Sequence, residues 1–265
     1  MRSLLALLAL RNRTLVLVSA AFFAVFEILI AAAVKTLDLD NLLREVMSAA
    51  PPFFSSRFGE ELGGLSVRGI LAFGWNHPVV LAVGAAVAIV LGARAVAGEI
   101  DQGAVELLMT QPLSRARYYA THALFGASAL ALLALAGVAG TIAGQRIYGL
   151  DPFGGSDLLL VGATYWLLNL GWFGIALAVS ARGREGGAVA TAVFFVALAS
   201  YLVNAIGSLL ESFAVALPYS LYSWYSPRDI LVERASQTVS LIVLGAVAAV
   251  AILAGAAFLE RRDLP

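Results

Sequence analysis

The chain has 265 residues, of which 61% are hydrophobic and 13% charged. A soluble domain carries about 45–50% apolar and about 25% charged residues, so this is the composition of an integral membrane protein. Seventeen basic residues balance 17 acidic ones, which leaves no bulk electrostatic reason to bind nucleic acid, and the lack of cysteine removes disulfides, thiolate metal sites and cysteine nucleophiles together.

In chain order, Leu4, Leu5, Leu7 and Leu8 fall on one helical face. They predict a short interfacial helix over residues 1–13, lying on the membrane surface. The competing reading is a simple extension of the first span. The basic start, the apolar run and Ala31–Ala33 imitate a signal peptide, but the run is too long for a signal core and reads as a retained span. A hydrocarbon core of about 30 Å needs roughly 20 apolar residues in a helix. Six segments qualify, at about 14–34, 79–97, 119–143, 158–181, 188–206 and 236–259. The expected fold is all-α: six transmembrane helices forming a single transmembrane domain.

Basic residues set the orientation. With the N-terminus inside, Arg2, Arg11, Arg13, Arg94, Arg115, Arg117, Arg182, Arg184, Arg261 and Arg262 are cytoplasmic. Lys35, Arg44, Arg57, Arg68, Arg146, Arg228 and Arg234 are then outside. The bias is clearest beside the spans, at Arg11–Arg13, at Arg182 with Arg184, and at Arg261–Arg262. Both termini are therefore expected in the cytoplasm. The outer connection 35–78 is long, with "LDNLLREVM" as an amphipathic helix ahead of a Pro51–Pro52 break. The outer connection 207–235 is also long and carries Tyr219, Tyr222, Trp224 and Tyr225. Two readings fit it. Its apolar start, "SLLESFAVAL", can enter the outer leaflet against protein, with Pro218 turning the chain back. Alternatively its rings form an aromatic belt at headgroup level. In the first case the four rings are candidates for an outer gate.

The most sharply punctuated stretch is "GEIDQGAVELLMTQPLSR", residues 98–115. Asp101 can cap a helix over 102–110. Ala104, Leu107 and Leu108 then line one face, while Gln102 and Glu106 point the other way. Pro112 stops the helix by disfavouring helical geometry at Gln111. Ser114 can cap the next helix, whose start Arg115 and Arg117 hold at the inner surface. From pattern alone this is either a docking helix for a cytoplasmic partner or a helix that packs on headgroups.

The segment resembles the cytoplasmic signature of permease subunits of the type-two ABC exporter family. The matching residues are Glu99, Gly103, Glu106, Leu107, Leu108, Pro112, Leu113, Ser114 and Arg115, and "YSPRDIL" at 225–231 resembles the end of that family's outer segment. The likeness in layout covers the chain; the specific likeness covers about 94–117. His122 departs from the pattern, because relatives often carry a lysine there. The resemblance implies that 98–117 is a coupling segment seated on a separate ATPase, with Glu99, Asp101, Gln102, Gly103, Glu106, Leu107, Leu108, Pro112, Ser114 and Arg115 as coupling residues. It implies two ATPase copies, a second permease subunit, identical or related, and a place in the bacterial cytoplasmic membrane. ATP and Mg would be bound by the partner, because no G-x-x-x-x-G-K-[ST] loop occurs in this chain. No cofactor or catalytic residue is expected in the chain itself.

Glu27 is the one carboxylate well inside a span, about 20 Å from Thr14 and about 10 Å from Val34 along the helix. It is a pathway candidate by default, or else a carboxylate that hydrogen-bonds within the bundle or reaches outer headgroups. Asn169 and Asn204 are expected to bond between helices, and Gly140 with Gly144 to permit close helix contact. His77 and His122 lie at opposite membrane faces and cannot share a metal. Two other classes of function are weaker. An intramembrane hydrolase needs a buried hydroxyl–histidine pair or H-E-x-x-H, and an ion-driven secondary transporter usually shows paired intramembrane charges or two related halves.

Overall fold

The computed structural model describes residues 2–36, 66–103 and 114–262. Among these the chain is helical throughout, and six helices are long and apolar enough to cross a membrane. α1 spans Arg2–Thr36, α2 Val67–Asn76, α3 Pro78–Ala95 and α4 Ala97–Asp101. α5 spans Arg115–Tyr148, α6 Gly155–Ser180 and α7 Gly186–Leu209. Two 3-10 helices follow, Glu211–Tyr219 and Leu221–Trp224, then α8 Pro227–Leu231 and α9 Thr238–Glu260.

α1 corrects the expectation of a separate surface helix over 1–13. It is one unbroken helix of 35 residues. At 1.5 Å per residue it is about 50 Å long, well beyond the hydrocarbon core. The physical reason is in its sequence: neither glycine nor proline occurs between Arg2 and Thr36. The one strongly turn-forming side chain, Asn12, donates its amide back to the Leu8 carbonyl at 3.0 Å. A second correction concerns the connection at 35–78. Ten residues near its end, Val67–Asn76, form α2, with Leu71, Ala72 and Trp75 buried against the bundle. Ser66 caps α2 through Gly69 N–H, and His77 ends it in extended geometry. Pro78 cannot continue the ladder, so the His77 ring accepts from Val79 N–H and α3 starts afresh. The helix expected at "LDNLLREVM" lies outside the described residues.

α3 and α6 are the most buried of the long helices and pack on each other at the centre. α1 lies along α5, α9 along α6, and α7 against α3 and the first 3-10 helix. With little hydrophobic difference between helix and lipid, close backbone approach supplies much of the attraction. The Gly140–Gly144 pair does this between α5 and α1. A Cβ on Gly140 would stand 2.4 Å from the Ala24 carbonyl oxygen, and one on Gly144 would stand 2.7 Å from Ala31 Cβ. Asn169 differs from expectation: its amide donates to the Tyr165 carbonyl of its own helix at 2.8 Å.

Gly140→Leu is expected to force α1 off α5, at a cost of about 1–3 kcal/mol or more. Gly245→Leu on α9, where a Cβ meets nothing within 4 Å, serves as the control. Thermal unfolding in detergent should show a fall for the first and little change for the second.

Candidate functional site

The end of the bundle that carries both termini is here called the base. There α3 gives way to α4 through Val96, and the whole junction, Ala93 and Ala95 to Ala97, is buried. A helix end in such a place leaves amides without intrahelical partners. The Ser180 hydroxyl, at the end of α6, accepts from Val96 N–H at 3.1 Å and Ala97 N–H at 2.8 Å, and donates to the Ala93 carbonyl at 2.9 Å. Tyr118 of α5 closes the other side by donating its hydroxyl to the Ala95 carbonyl. Gly186, at the start of α7, lets that backbone approach α4: a Cβ there would stand 3.0 Å from Gly98 Cα.

α4 delivers Glu99 into this base. Its carboxylate is buried and forms a salt bridge with Arg11 of α1. The Arg11 side chain is 35% exposed, against 7% for Glu99, so the pair straddles the edge of the bundle. Asp101 is the last residue of α4, and the rest of the helix expected over 102–110 lies outside the described residues beyond Gly103. α4 ends after Asp101 because the Gly103 backbone turns left-handed at φ 69°, with Gly103 N–H bonding the Ile100 carbonyl. Glycine takes that geometry without the penalty a Cβ brings. Asp101, Gln102 and Gly103 are exposed. Glu106, Leu107, Leu108 and Pro112 lie outside the described residues.

The chain returns at Ser114, which caps α5 as its sequence predicts, accepting from Arg117 N–H at 3.3 Å. Arg115 does more than hold the helix start at a surface. It donates to the carbonyls of Glu260 at 3.5 Å and Arg262 at 2.6 Å. Arg262 in turn donates to the carbonyls of Ala181 and Gly183, each at 2.9 Å. Both roots of segment 98–117 are thereby tied to every long helix that ends at the base. Arg11, Tyr118, Ser180 and Arg262 escaped sequence reasoning. Their partners are distant in sequence, and a lone serine at a span end gives no pattern.

At the opposite end the aromatic residues divide. Tyr219 is 88% exposed, whereas Tyr222 and Tyr225 are buried. This corrects the picture of four rings with wet edges. Tyr222 packs between Trp172 and Tyr201, with centroids 5.8 Å and 5.6 Å away. Tyr225 donates its hydroxyl to the Trp75 carbonyl at 3.1 Å, and Trp224 donates to the Pro218 carbonyl at 3.1 Å. Burial raises the phenols of Tyr222 and Tyr225 well above the usual tyrosine range, so both stay neutral at any physiological pH. Ser200 of α7 holds the segment from the other side, accepting from Leu221 N–H at 3.1 Å while its carbonyl accepts from the Ser220 hydroxyl at 2.7 Å.

Glu27 is 1% exposed, enclosed by α1, α2 and α5. Trp75 Nε1 donates to Thr141 Oγ1 at 3.0 Å, and Thr141 lies 3.1 Å both from Glu27 Oε2 and from the Gly137 carbonyl. Its single proton can serve either acceptor. Trp75 thus joins two networks: its carbonyl holds Tyr225, and its indole reaches Thr141 beside Glu27. His122 is buried near the base with its ring 4.6 Å from that of Tyr118. No group of three or more potential metal ligands occurs among the described residues.

No curated protein matches the chain. The family model of the ABC-2 family transporter protein matches residues 7–264. That match takes in all six long helices, the buried α3–α4 junction and both roots of segment 98–117. The chain therefore belongs to the ABC-2 transporter family, as a multi-pass membrane permease.

Proposed function

We propose that the chain is the membrane half of an exporter driven by ATP hydrolysis on a separate subunit. The base faces the cytoplasm of a bacterial inner membrane, and both termini lie on that side. Segment 98–117 is the coupling element. The observation that supports this most directly is its rooting: α4 is held to α6 by the buried Ser180 hydroxyl and to α1 by the Arg11–Glu99 pair, α7 packs closely on it at Gly186, and the start of α5 is tied to the C-terminus by Arg115 at the bundle's edge. A force applied to such a segment reaches the whole bundle instead of bending a loop. Two ATPase copies would bind ATP and Mg, and a second permease subunit would complete the pathway. Sealing of the pathway at the far end falls to segment 207–235, whose Tyr222 and Tyr225 anchor it and whose Tyr219 is left exposed.

The Glu106→Ala, Leu108→Ala double variant tests the coupling role. Co-expressed with its ATPase and reconstituted in vesicles, it is expected to insert normally yet lose ATPase association or separate hydrolysis from transport. Normal binding and normal transport would remove the coupling assignment.

Arg11 and Glu99 give a second test. Removing one partner leaves a mostly buried charge unpaired, a loss of about 3 kcal/mol that exposure of Arg11 reduces. Arg11→Glu and Glu99→Arg are each expected to lower transport severalfold, and the exchanged pair to recover part of it. Additive losses in the pair, measured as transport per ATP hydrolysed, would show that the ion pair has no part in coupling.

Tyr225→Phe keeps the ring and deletes the bond to the Trp75 carbonyl, which should loosen the outer segment by about 1 kcal/mol. Raised leak or basal ATPase activity with intact assembly is the expected outcome. Unchanged leak, with Tyr222→Ala and Trp224→Ala equally silent, would reduce the segment to an anchor.

A further inference from the structure

α5 and α6 leave an open groove along their contact. One part, with a volume of about 200 Å³, is lined by Ala131, Ala134 and Val138 of α5 and by Gly162, Ala163 and Trp166 of α6. A second part, the mouth, about 500 Å³, lies on the same face of α5 past Ile142 and Gln145 to Gly149. Residues spaced by three and four share one helical face, so the two parts form one line along α5. From position 131 to 149 it runs about 27 Å along the helix axis. The first part is almost wholly apolar, and small side chains form much of its floor.

The mouth is constructed differently. Gln145 donates to the Asp151 carbonyl at 2.9 Å and accepts from Phe153 N–H at 3.4 Å, which folds the α5–α6 loop into a wall. Arg68 braces that wall from behind, donating to the Pro152 carbonyl at 3.2 Å and lying 5.4 Å over the Phe153 ring. Three arginines at this end are engaged: Arg68 on the loop, Arg228 with Glu233, and Arg234 with Asp157. Arg146, in the last turn of α5 at the groove mouth, is exposed and has no hydrogen-bond or ion-pair partner among the described residues.

A cation at the headgroup end of an apolar furrow matches one kind of molecule. We propose that this groove is a phospholipid-binding site, with an acyl chain along α5 and α6 and the phosphate on Arg146. The guanidinium offers paired donors to phosphate oxygens, a charge-assisted contact that lysine makes only as a point charge. The open apolar groove below offers a water-soluble phosphate nothing beyond the one cation, whereas an acyl chain can lie along it. Asp151, exposed on the loop beside the mouth, favours a headgroup that also carries an amine. The site is on the flank of the bundle, away from segment 98–117 and bordered at its mouth by the Arg234–Asp157 pair of segment 207–235 and α6, and it stands independently of the coupling reading.

The test uses the full chain in detergent micelles, titrated with dioleoyl phosphatidylethanolamine and followed by native mass spectrometry. A saturable bound lipid is expected. Arg146→Ala should weaken it about tenfold, the value of one charge-assisted contact, and Arg146→Lys should weaken it less. Ala163→Trp, which fills the groove without touching Arg146, should abolish it, and glycerol phosphate should not bind. Equal affinity in Arg146→Ala, undiminished binding in Ala163→Trp, or binding of glycerol phosphate alone would each overturn the assignment. Because Arg146 is exposed, its substitution leaves folding intact and the result readable.

Discussion

A chain that leaves one helix and starts another inside an apolar bundle must find partners for its amides within the protein, since lipid offers none. Ser180 meets this need for the α3–α4 junction. One hydroxyl satisfies two N–H groups and one carbonyl, and the rest of the base depends on it. Because the junction is satisfied, it can be buried. Because it is buried, α4 starts within the bundle and carries Glu99 inward. A carboxylate there needs a countercharge, which places a demand on α1 that Arg11 meets. The ion pair thus follows from where the backbone turns.

Much of this was legible from residue pattern. Span number and the Ser114 cap follow from apolar runs and a serine ahead of Arg115, both local signals. The close contact at Gly140 and Gly144 follows from small-residue spacing. What escaped was long-range. Nothing in "VRGILAFGWN" names α1 as the surface it packs on, because a ten-residue apolar stretch is too short for a span and its periodicity marks a buried face without saying what buries it. Asp101 is a different case: aspartate before a helical pattern reads as a cap, while Ala97–Asp101 forms a short helix of its own that ends at the left-handed Gly103. Tyr222 and Tyr225 looked like interfacial rings by type. Their burial is set by Trp172, Tyr201 and Trp75, partners that no spacing rule connects to them.

The two ends of the molecule solve their polar problem in different currencies. The base uses ion pairs and arginine-to-carbonyl bonds at the bundle's edge, where Arg115 and Arg262 remain partly exposed and can exchange protein carbonyls for water. The far end has surface ion pairs too, Arg228 with Glu233 and Arg234 with Asp157, but its interior is held by neutral donors, Tyr165 and Tyr225, bonding the buried carbonyls of Val80 and Trp75. Contacts of the first kind can be broken and remade at low cost when water is at hand. Contacts of the second kind, in a dry interior, leave an unsatisfied carbonyl if broken. The base is therefore suited to repeated rearrangement, while opening the far end requires Tyr225 and the Trp75 carbonyl to find substitutes.

α1 connects the two. It holds Arg11 at the base and Glu27 at the Thr141–Trp75 network, 16 residues further on and about 24 Å away along the axis. With no glycine or proline between them the helix has no ready hinge. A shift of α4 that drags Arg11 with Glu99 must move α1 as a rod, and the close fit of Gly140 against Ala24 confines that motion to sliding along α5 or rotating about it. Either motion displaces Glu27 relative to Thr141, whose one proton already has a second acceptor in the Gly137 carbonyl. Thr141 can therefore release Glu27 without being left unbonded. The α1–α5 contact is thus a route by which a movement at the base can reach Trp75, and through it Tyr225, and its cost falls on Glu27, whose other carboxyl oxygen is already buried without a hydrogen bond.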